Sequence, residues 1–211
     1  MYVGIQNARN NNAGSIVTTC PLCGKGGTLV SLTNIQDCLI TSPQNEQFIA
    51  GQRKCPNPNC RALLFFIKPP SGVISFYPKL RIDFNAENLP AKIRSSFEEA
   101  VTCHAEGCYV ASAIMVRRTL EELCEDKSCT GKNLYKRIEA LKGNVVLPQE
   151  LFDALDELRL LGNDAAHIES KDYDTIGEEE ISVAIELTKE ILKSVYQMES
   201  LVNRLKNLKK T

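Results

Sequence analysis

The sequence predicts an α+β protein: a small β domain with a zinc-ribbon pattern, followed by an up-and-down helical bundle with a long last helix. Two cysteine pairs separated by strand-like stretches predict the first part. Apolar residues at helical spacing predict the second, and the change falls at Asn88 and Pro90, which resemble a helix start. The predicted division is a flexible arm over residues 1–15, a zinc-ribbon domain over 16–88 and a helical domain over 89–211.

Composition limits the classes of function. The 211 residues are 43% hydrophobic, which is enough for a core. Because 25 Lys and Arg face 26 Asp and Glu, the chain is nearly neutral, which argues against a protein that binds polyanions through a basic surface overall. A local basic patch is compatible with this balance.

The sequence also predicts a cytoplasmic protein without a membrane segment. No apolar run approaches the roughly 18 residues that a membrane helix needs, and residues 1–13 lack the apolar centre of a secretory signal. The nine cysteines are odd in number, which favours a reduced compartment over a disulfide framework. Residues 1–15 are rich in Asn and Gly, and we expect a flexible arm there.

Four cysteines have the spacing of zinc ligands. Cys20 and Cys23 flank a Pro-Leu turn followed by Gly24, and Cys55 and Cys60 enclose a second turn rich in Pro and Asn. Four thiolates form a closed tetrahedral site with no position for water, so we expect a structural zinc ion. The alternative is four free cysteines in unrelated turns.

Strand-like segments surround these turns. We expect strands over residues 27–35, 47–50, 62–67 and 73–77, with a turn over 69–72 between the last two. Zinc ribbons either contact nucleic acid or protein, or only staple a small β unit, and the residues leave both interpretations open. Cys38 has no partner by spacing and is expected to be a small core residue.

The second part predicts five helices. We expect the first four over residues 91–105, 109–126, 134–141 and from 148 to at least 161. Thr175 to Glu178 fit a capping box for a last helix, with Lys209 and Lys210 near its C-terminal end. If unbroken to about Leu208, this helix is on the order of 45 Å long at 1.5 Å per residue. Such a length exceeds what a small bundle covers, so we expect its end to pack against a second copy in a homodimer.

The best candidate site in the helical part contains Arg159, Asn163 and His167, each four residues from the next. On a continuing helix they share one face. The imidazole would then act as a general base, and the guanidinium would stabilise the charge that develops during metal-free cleavage of RNA. The alternative is structural: Gly162 and Asn163 end the helix, and His167 is hydrogen-bonded in the core.

Other residues are assigned no chemistry. Cys103 and Cys108 are five residues apart, which makes joint ligation of a metal on a regular helix awkward. We expect core or surface positions for these two and for Cys124 and Cys129. Arg117 and Arg118 are expected on a solvated helix face. The alternative is that one of them reaches the region of Arg159 and His167.

Several segments together resemble a bacterial domain-of-unknown-function family, numbered 4145. The resemblance covers about residues 19–195 and includes the cysteine ribbon that often precedes that domain. The Arg-x-x-Gly-Asn-x-x-x-His segment is its most specific part. The segments are residues 97–103, 107–112, 117–121, 134–141 and 158–167.

The resemblance implies a helical scaffold similar to the HEPN superfamily (higher eukaryote and prokaryote nucleotide-binding). That superfamily includes dimeric, metal-independent ribonucleases of toxin and phage-defence systems, and the 4145 domain also occurs on type I restriction motor subunits. The ribonucleases carry an Arg and a His separated by four to six intervening residues, the first of which is usually polar. Aligning Asn163 with the polar residue places Gly162 where that arginine belongs.

Three functions follow as expectations. The first is a nucleic-acid-associated binding or adaptor module of a bacterial defence or restriction system, with RNA or DNA as partner. The second is a metal-independent endoribonuclease that uses His167 and Arg159. The third is a protein-interaction scaffold without nucleic-acid contact.

Overall fold

The structure is a computed structural model that describes residues 4–71, 73–167, 173 and 175–208. The chain forms two compact units, Met1–Arg81 and Ile82–Thr211. The division therefore follows Arg81 and not Asn88, where the sequence predicted it. The reason is packing: Ile82 and Phe84 contact the helical core, and the rings of Phe84 and Phe97 lie 4.7 Å apart in an edge-to-face arrangement.

The first unit is a seven-stranded antiparallel sheet. Strand β5 is its centre: β4 and then β3 pair along one edge of β5, and β6 pairs along the other, with β7 outside it. The two remaining strands extend this arrangement, β1 beside β4 and β2 beside β3. The strands are β1 Asn7–Asn11, β2 Ile16–Thr19, β3 Gly26–Ser31, β4 Asp37–Thr41, β5 Gln47–Lys54, β6 Leu63–Lys68 and β7 Ser75–Tyr77.

Residues 7–11, which lie within the expected flexible arm over residues 1–15, form a strand. These residues form β1, whose Asn7 to Asn11 pair with Thr41 to Asp37 of β4. Backbone pairing with β4 does not require apolar side chains, which is why apolar content did not reveal this polar strand. Residues 1–3 of the expected arm and Gly72 of the predicted 69–72 turn lie outside the described residues.

The β unit has a small apolar core with an ion pair beside it. Ile16, Leu29, Leu64 and Phe66 are its buried members.

Cys38 is exposed, which corrects its expected place in the core. Because side chains alternate along a strand, Cys38 faces away from the interior that its buried neighbour Asp37 occupies.

The second unit is helical, and its first helices confirm the predicted bounds. The helices are α1 Ala91–Ala105, α2 Tyr109–Asp126, α3 Leu134–Leu141, α4 Gln149–Ala166, α5 Glu178–Tyr196 and α6 Met198–Asn207. Their buried faces form one core, in which Phe97, Leu120, Leu155 and Ile185 are fully buried. Helix α2 packs against α1, α3, α4 and α5, so it is the central helix of the bundle.

The last helix does not run unbroken to Leu208, because it is interrupted at Gln197. Helix α5 ends at Tyr196, and Gln197 has φ −112°, outside ordinary helical values. Its buried side chain donates hydrogen bonds to the carbonyl oxygens of Asn85 and Glu87, at 2.7 and 3.1 Å. A tertiary contact therefore interrupts the helix, which α6 then resumes. Lys209 and Lys210 lie outside the described residues.

The start of α5 also differs from the prediction. The helix is capped at Gly177 and not at Thr175, and the carboxylate of Glu180 accepts a hydrogen bond from the Gly177 backbone N–H at 2.9 Å. Glycine has no side chain, so only this half of a capping box forms.

Within the described residues, no helix has the length and apolar content needed to cross a membrane.

Candidate metal centre and helical site

The first cysteine turn connects β2 and β3. Cys20 follows β2 directly, its N–H donates to the carbonyl of Lys25 at 3.0 Å, and the Gly24 N–H donates to the carbonyl of Cys20 at 2.9 Å. Gly24 has φ +66°, in the left-handed region where glycine carries no steric penalty. The tight turn directs Cys20 and Cys23 to the same side.

The second cysteine turn connects β5 and β6. The Cys55 N–H donates to the carbonyl of Ala62, and the N–H groups of Cys60 and Arg61 both donate to the carbonyl of Asn57. Because β3 and β6 both pair with the end of β5, the sheet brings the two turns together. Sheet pairing, and not the turns alone, therefore assembles the cysteine cluster.

The four sulfur atoms have the geometry of a metal centre. Cys20 Sγ lies 3.9 Å from Cys60 Sγ, Cys23 Sγ lies 3.7 Å from Cys55 Sγ, and all four lie within 4.8 Å of one another. A regular tetrahedron with metal–sulfur bonds near 2.3 Å has edges of about 3.8 Å. A disulfide would require about 2.05 Å between sulfurs, so these cysteines are free thiols arranged around a common centre.

Backbone hydrogen bonding and burial shift the pKa values of these thiols in opposite directions. A hydrogen bond from the Lys25 backbone lowers the pKa of Cys23 to about 6, whereas burial raises the pKa of Cys55 to about 12. Neighbouring thiolates repel one another, so a bound cation is needed to hold all four deprotonated. Among the cysteine, histidine and acidic side chains of the described residues, these four cysteines form the cluster suited to holding a metal ion.

The candidate site in the bundle lies at the end of α4. The helix continues through Gly162 and Asn163 and ends at Ala166, so the alternative in which those two residues end it is wrong. His167 follows in an extended conformation, with φ −133° and ψ 116°. Its imidazole is exposed and is not part of the core, and it does not continue the helical face of Asn163 as predicted.

Arg159 is held by its surroundings. Its Nε donates to the carboxylate of Asp156 at 2.7 Å, and its guanidinium carbon lies 5.5 Å from the centre of the Tyr135 ring. Arg117 Nη1 donates to the carbonyl oxygen of Arg159 at 3.2 Å, and its Nε pairs with Glu121. The alternative that an arginine of α2 reaches this region is therefore confirmed for Arg117.

Gly162 explains the close contact between α2 and α4. A Cβ built on Gly162 would lie 2.5 Å from Cβ of Arg117 and 3.3 Å from the carbonyl oxygen of Ala113. Any side chain at this position therefore conflicts with α2. The absence of an arginine at Gly162 follows from this packing, and Arg117 occupies the adjoining space.

The remaining cysteines behave as the sequence indicated. Cys124 and Cys129 are buried, Cys108 is exposed at the start of α2, and Cys103 is half-buried. Burial raises the pKa of Cys124 to about 12, as expected for an inert core thiol.

Comparison with known proteins identifies the helical part. A family model described as "Domain of unknown function (DUF4145)" matches residues 98–209, just over half of the chain. The chain belongs to the DUF4145 family. Neither the curated proteins nor the solved structures gave a match.

The DUF4145 match includes Arg159, Asn163 and His167 but excludes the four clustered cysteines. It therefore covers most of the helical unit and none of the β unit. The family description names no activity, so any function has to be argued from the two units themselves.

The β unit has a charge pattern that the whole-chain balance conceals. Residues 1–81 contain eight Lys and Arg against two Asp and Glu, a formal charge of +6, and residues 82–211 contain 17 against 24, a formal charge of −7. A zinc ion with four thiolates formally removes two positive charges from the β unit, which stays basic. Counting charge separately for each predicted domain would have revealed this segregation from the sequence.

The cations of the β unit lie on its surface. Arg53 is buried against Asp37, whereas the other seven are exposed or half-buried: Arg9, Lys25, Lys54, Arg61, Lys68, Lys79 and Arg81. Glu46 is the sole remaining acid of the unit. Three of the cations, Lys25, Lys54 and Arg61, adjoin the cysteine turns in sequence, so the positive charge extends to the metal centre.

Proposed function

We propose that this DUF4145 protein is a nucleic-acid-associated binding or adaptor module, and that its basic β unit makes the nucleic-acid contact. The observation that carries the proposal is the charge segregation: seven surface cations against one surface acid in the β unit. Phosphate groups are attracted to such a surface, and release of their counterions contributes to binding. The acidic helical unit is unsuited to that contact.

The metal in this proposal is a structural zinc ion held by Cys20, Cys23, Cys55 and Cys60. The sulfur spacing matches a tetrahedral thiolate site, and four protein ligands leave no position for a reacting water. The ion would tie the β2–β3 turn to the β5–β6 turn and so fix the sheet end that carries Lys54. We assign it no catalytic role.

The helical unit in this proposal is a HEPN-like scaffold that forms a homodimer through α6. Met198, Leu201, Val202, Leu205 and Leu208 follow one helical stripe and are 46–79% exposed. A second copy that offers the same stripe would bury both. Membership of a cytoplasmic defence or restriction system is proposed from the resemblance alone.

Titration of labelled single-stranded and duplex oligonucleotides, followed by fluorescence anisotropy, tests the function. We expect binding at low salt and affinity that falls as salt rises. Replacing Lys25, Lys54 and Arg61 by Gln should reduce the salt slope by about one for each phosphate that the variant no longer neutralises. Lys92, Lys132 and Lys142 of the acidic unit, replaced together by Gln, are the matched control. No binding at low salt would refute the proposal and favour the protein-interaction scaffold.

Endoribonuclease activity is the second candidate, favoured by the proximity of Arg117 to Arg159 and by the exposed imidazole of His167. The bond between Arg159 and Asp156 opposes it, because that guanidinium is already paired. RNA incubated with the protein in chelator decides between the two. Cleavage that His167→Ala abolishes would establish the enzyme, whereas equal residual cleavage in both proteins would exclude it.

A further inference from the structure

The outward face of strands β6 and β7 carries exposed apolar side chains. Side chains on β6 alternate: Leu64 and Phe66 are buried, whereas Leu63 and Phe65 are 44% and 45% exposed. In the antiparallel register, Phe65 is directly opposite Tyr77 of β7, which is 66% exposed. Two aromatic side chains thus stand next to each other on the solvent side of the sheet.

Polar and charged groups complete this face. Phe65 is also opposite Gln52 of β5, and Leu63 is opposite Lys54, which in turn pairs with Val30 of β3. Partners in an antiparallel register project to the same side of a sheet. An amide and an ammonium group therefore border the two rings, and both are half-buried.

We infer that this face, defined by Phe65, Tyr77, Gln52 and Lys54 and called here the aromatic face, binds single-stranded nucleic acid by stacking unpaired bases on the two rings. The inference rests on the proposed function and names its substrate class. Adjacent strands are about 4.8 Å apart, so rings on neighbouring strands can each receive one base of a strand whose bases are not paired. A duplex keeps its bases stacked inside and offers the rings no partner.

The charge of the unit favours this occupant over a second copy of the chain. Stacking supplies sequence-tolerant affinity because every base has a π face, and cations such as Lys54 hold the connecting phosphates. A second copy would bring the same basic surface against itself, with unfavourable repulsion. Both chemical requirements of single-strand binding, rings and cations, meet on this face.

Among the described residues, neither Phe65 nor Tyr77 forms an aromatic ring pair. The aromatic pairs of the described residues are Phe84 with Phe97 and His104 with Tyr109, and both lie in the helical unit. The cation–π contact of the β unit is between Arg53 and the buried Phe66, on the opposite side of β6. Phe65 and Tyr77 therefore keep ring surface that is open to solvent.

The test compares a labelled oligothymidylate, an oligouridylate of the same length and a duplex of the same length, each titrated with the full-length protein. We expect both single strands to bind more tightly than the duplex. Phe65→Leu keeps the apolar area but removes the π face, and we expect it to weaken single-strand binding about tenfold. Tyr77→Leu should do the same, while Phe65→Trp should retain or increase affinity. Val17→Ala, at an exposed apolar position of β2, is the matched control.

The outcomes separate the inference from the proposed function. Reduced affinity in the two leucine variants with an unchanged salt slope supports stacking, since the phosphate contacts are intact. Salt-sensitive binding that is equal for duplex and single strand, or insensitive to both leucine variants, overturns the aromatic face and leaves the proposed function standing. A change in oligomeric state on Phe65→Leu with unchanged affinity also overturns it. No binding of any oligonucleotide at low salt refutes the proposed function itself.

Discussion

Arg53 and Asp37 form a bidentate ion pair in the interior of the β unit. Arg53 Nη1 and Nη2 lie 2.7 and 2.8 Å from the two carboxylate oxygens of Asp37, and the side chains are 2% and 5% exposed. Asp37 also accepts a hydrogen bond from the Ala13 N–H at 2.7 Å, and the Arg53 guanidinium lies over Phe66. The pair therefore joins strands β4, β5 and β6 and the segment that precedes β2.

This pair predicts acid sensitivity of the β unit. The hydrogen bond from Arg53 lowers the pKa of Asp37 below its usual value of 3.8, against the opposing effect of burial. Because the folded pKa lies below the unfolded one, the stabilisation is complete above about pH 4 and is lost as pH falls through the folded pKa. Chemical denaturation at a series of pH values, followed by far-UV circular dichroism, measures this loss.

Asp37→Asn should remove that contribution and destabilise the unit by about 3 kcal/mol at neutral pH, because it leaves the buried Arg53 charge unpaired. Glu46→Gln is the control, since Glu46 is the exposed acid of the same unit. A Glu46 variant with the same loss, or an Asp37 variant without it, would contradict the role of the pair.

Gly51 predicts a second stability effect in the same place. A Cβ at this position would lie 2.0 Å from an Asp37 carboxylate oxygen and 2.8 Å from Phe66. The carboxylate is held by Arg53 and Ala13, so it has little freedom to move. We expect Gly51→Ala to cost about 1–3 kcal/mol of unfolding free energy. Gly26→Ala, which meets only Thr19 at 4.0 Å, should cost much less, and equal effects would argue against the crowding.

Gly162 predicts a packing effect in the bundle. Alanine is favoured over glycine within a helix by about 1 kcal/mol, yet Gly162→Ala should destabilise the bundle, because its Cβ meets Arg117 at 2.5 Å. Thermal unfolding followed by circular dichroism checks the sign of the change. Gly143→Ala, whose Cβ would meet only the Ala140 carbonyl at 3.7 Å, is the comparison. A rise in the melting temperature of Gly162→Ala would show that α2 and α4 are not so close.

The four cysteines predict one metal ion per chain. The double variant Cys55→Ser, Cys60→Ser should lose that ion, since two hydroxyls replace two thiolates of the tetrahedral set. Elemental analysis of purified protein gives the stoichiometry and the identity of the metal. Cys38→Ser is the control, because Cys38 is exposed and outside the cluster. Metal retained by the double variant would refute the ligand set.

The apolar stripe of α6 predicts the oligomeric state. If a second copy covers it, Leu201→Glu with Leu205→Glu should convert a dimer into a monomer, because two charges would enter the interface. Sedimentation velocity measures the change. Val110→Glu, at a 50% exposed position of α2, should leave the dimer intact. A wild-type protein that is monomeric at all concentrations would exclude the dimer.

The sequence by itself determined the α+β class, the bounds of the first three helices and the identity of the four clustered cysteines. Periodic apolar residues specify helices locally, which is why α1, α2 and α3 match their predicted ends. Cysteine spacing in a turn is likewise a local property, and the charge of each unit can be counted without coordinates.

Only the tertiary structure decided the features that depend on contacts between distant residues. Backbone pairing placed the polar β1 beside β4, and the bonds from Gln197 to Asn85 and Glu87 ended α5. The strand register set Phe65 opposite Tyr77, and the end of α4 at Ala166 placed His167 outside the helical face of Asn163. Such contacts join residues far apart in the chain, and no local pattern encodes which partner each segment meets.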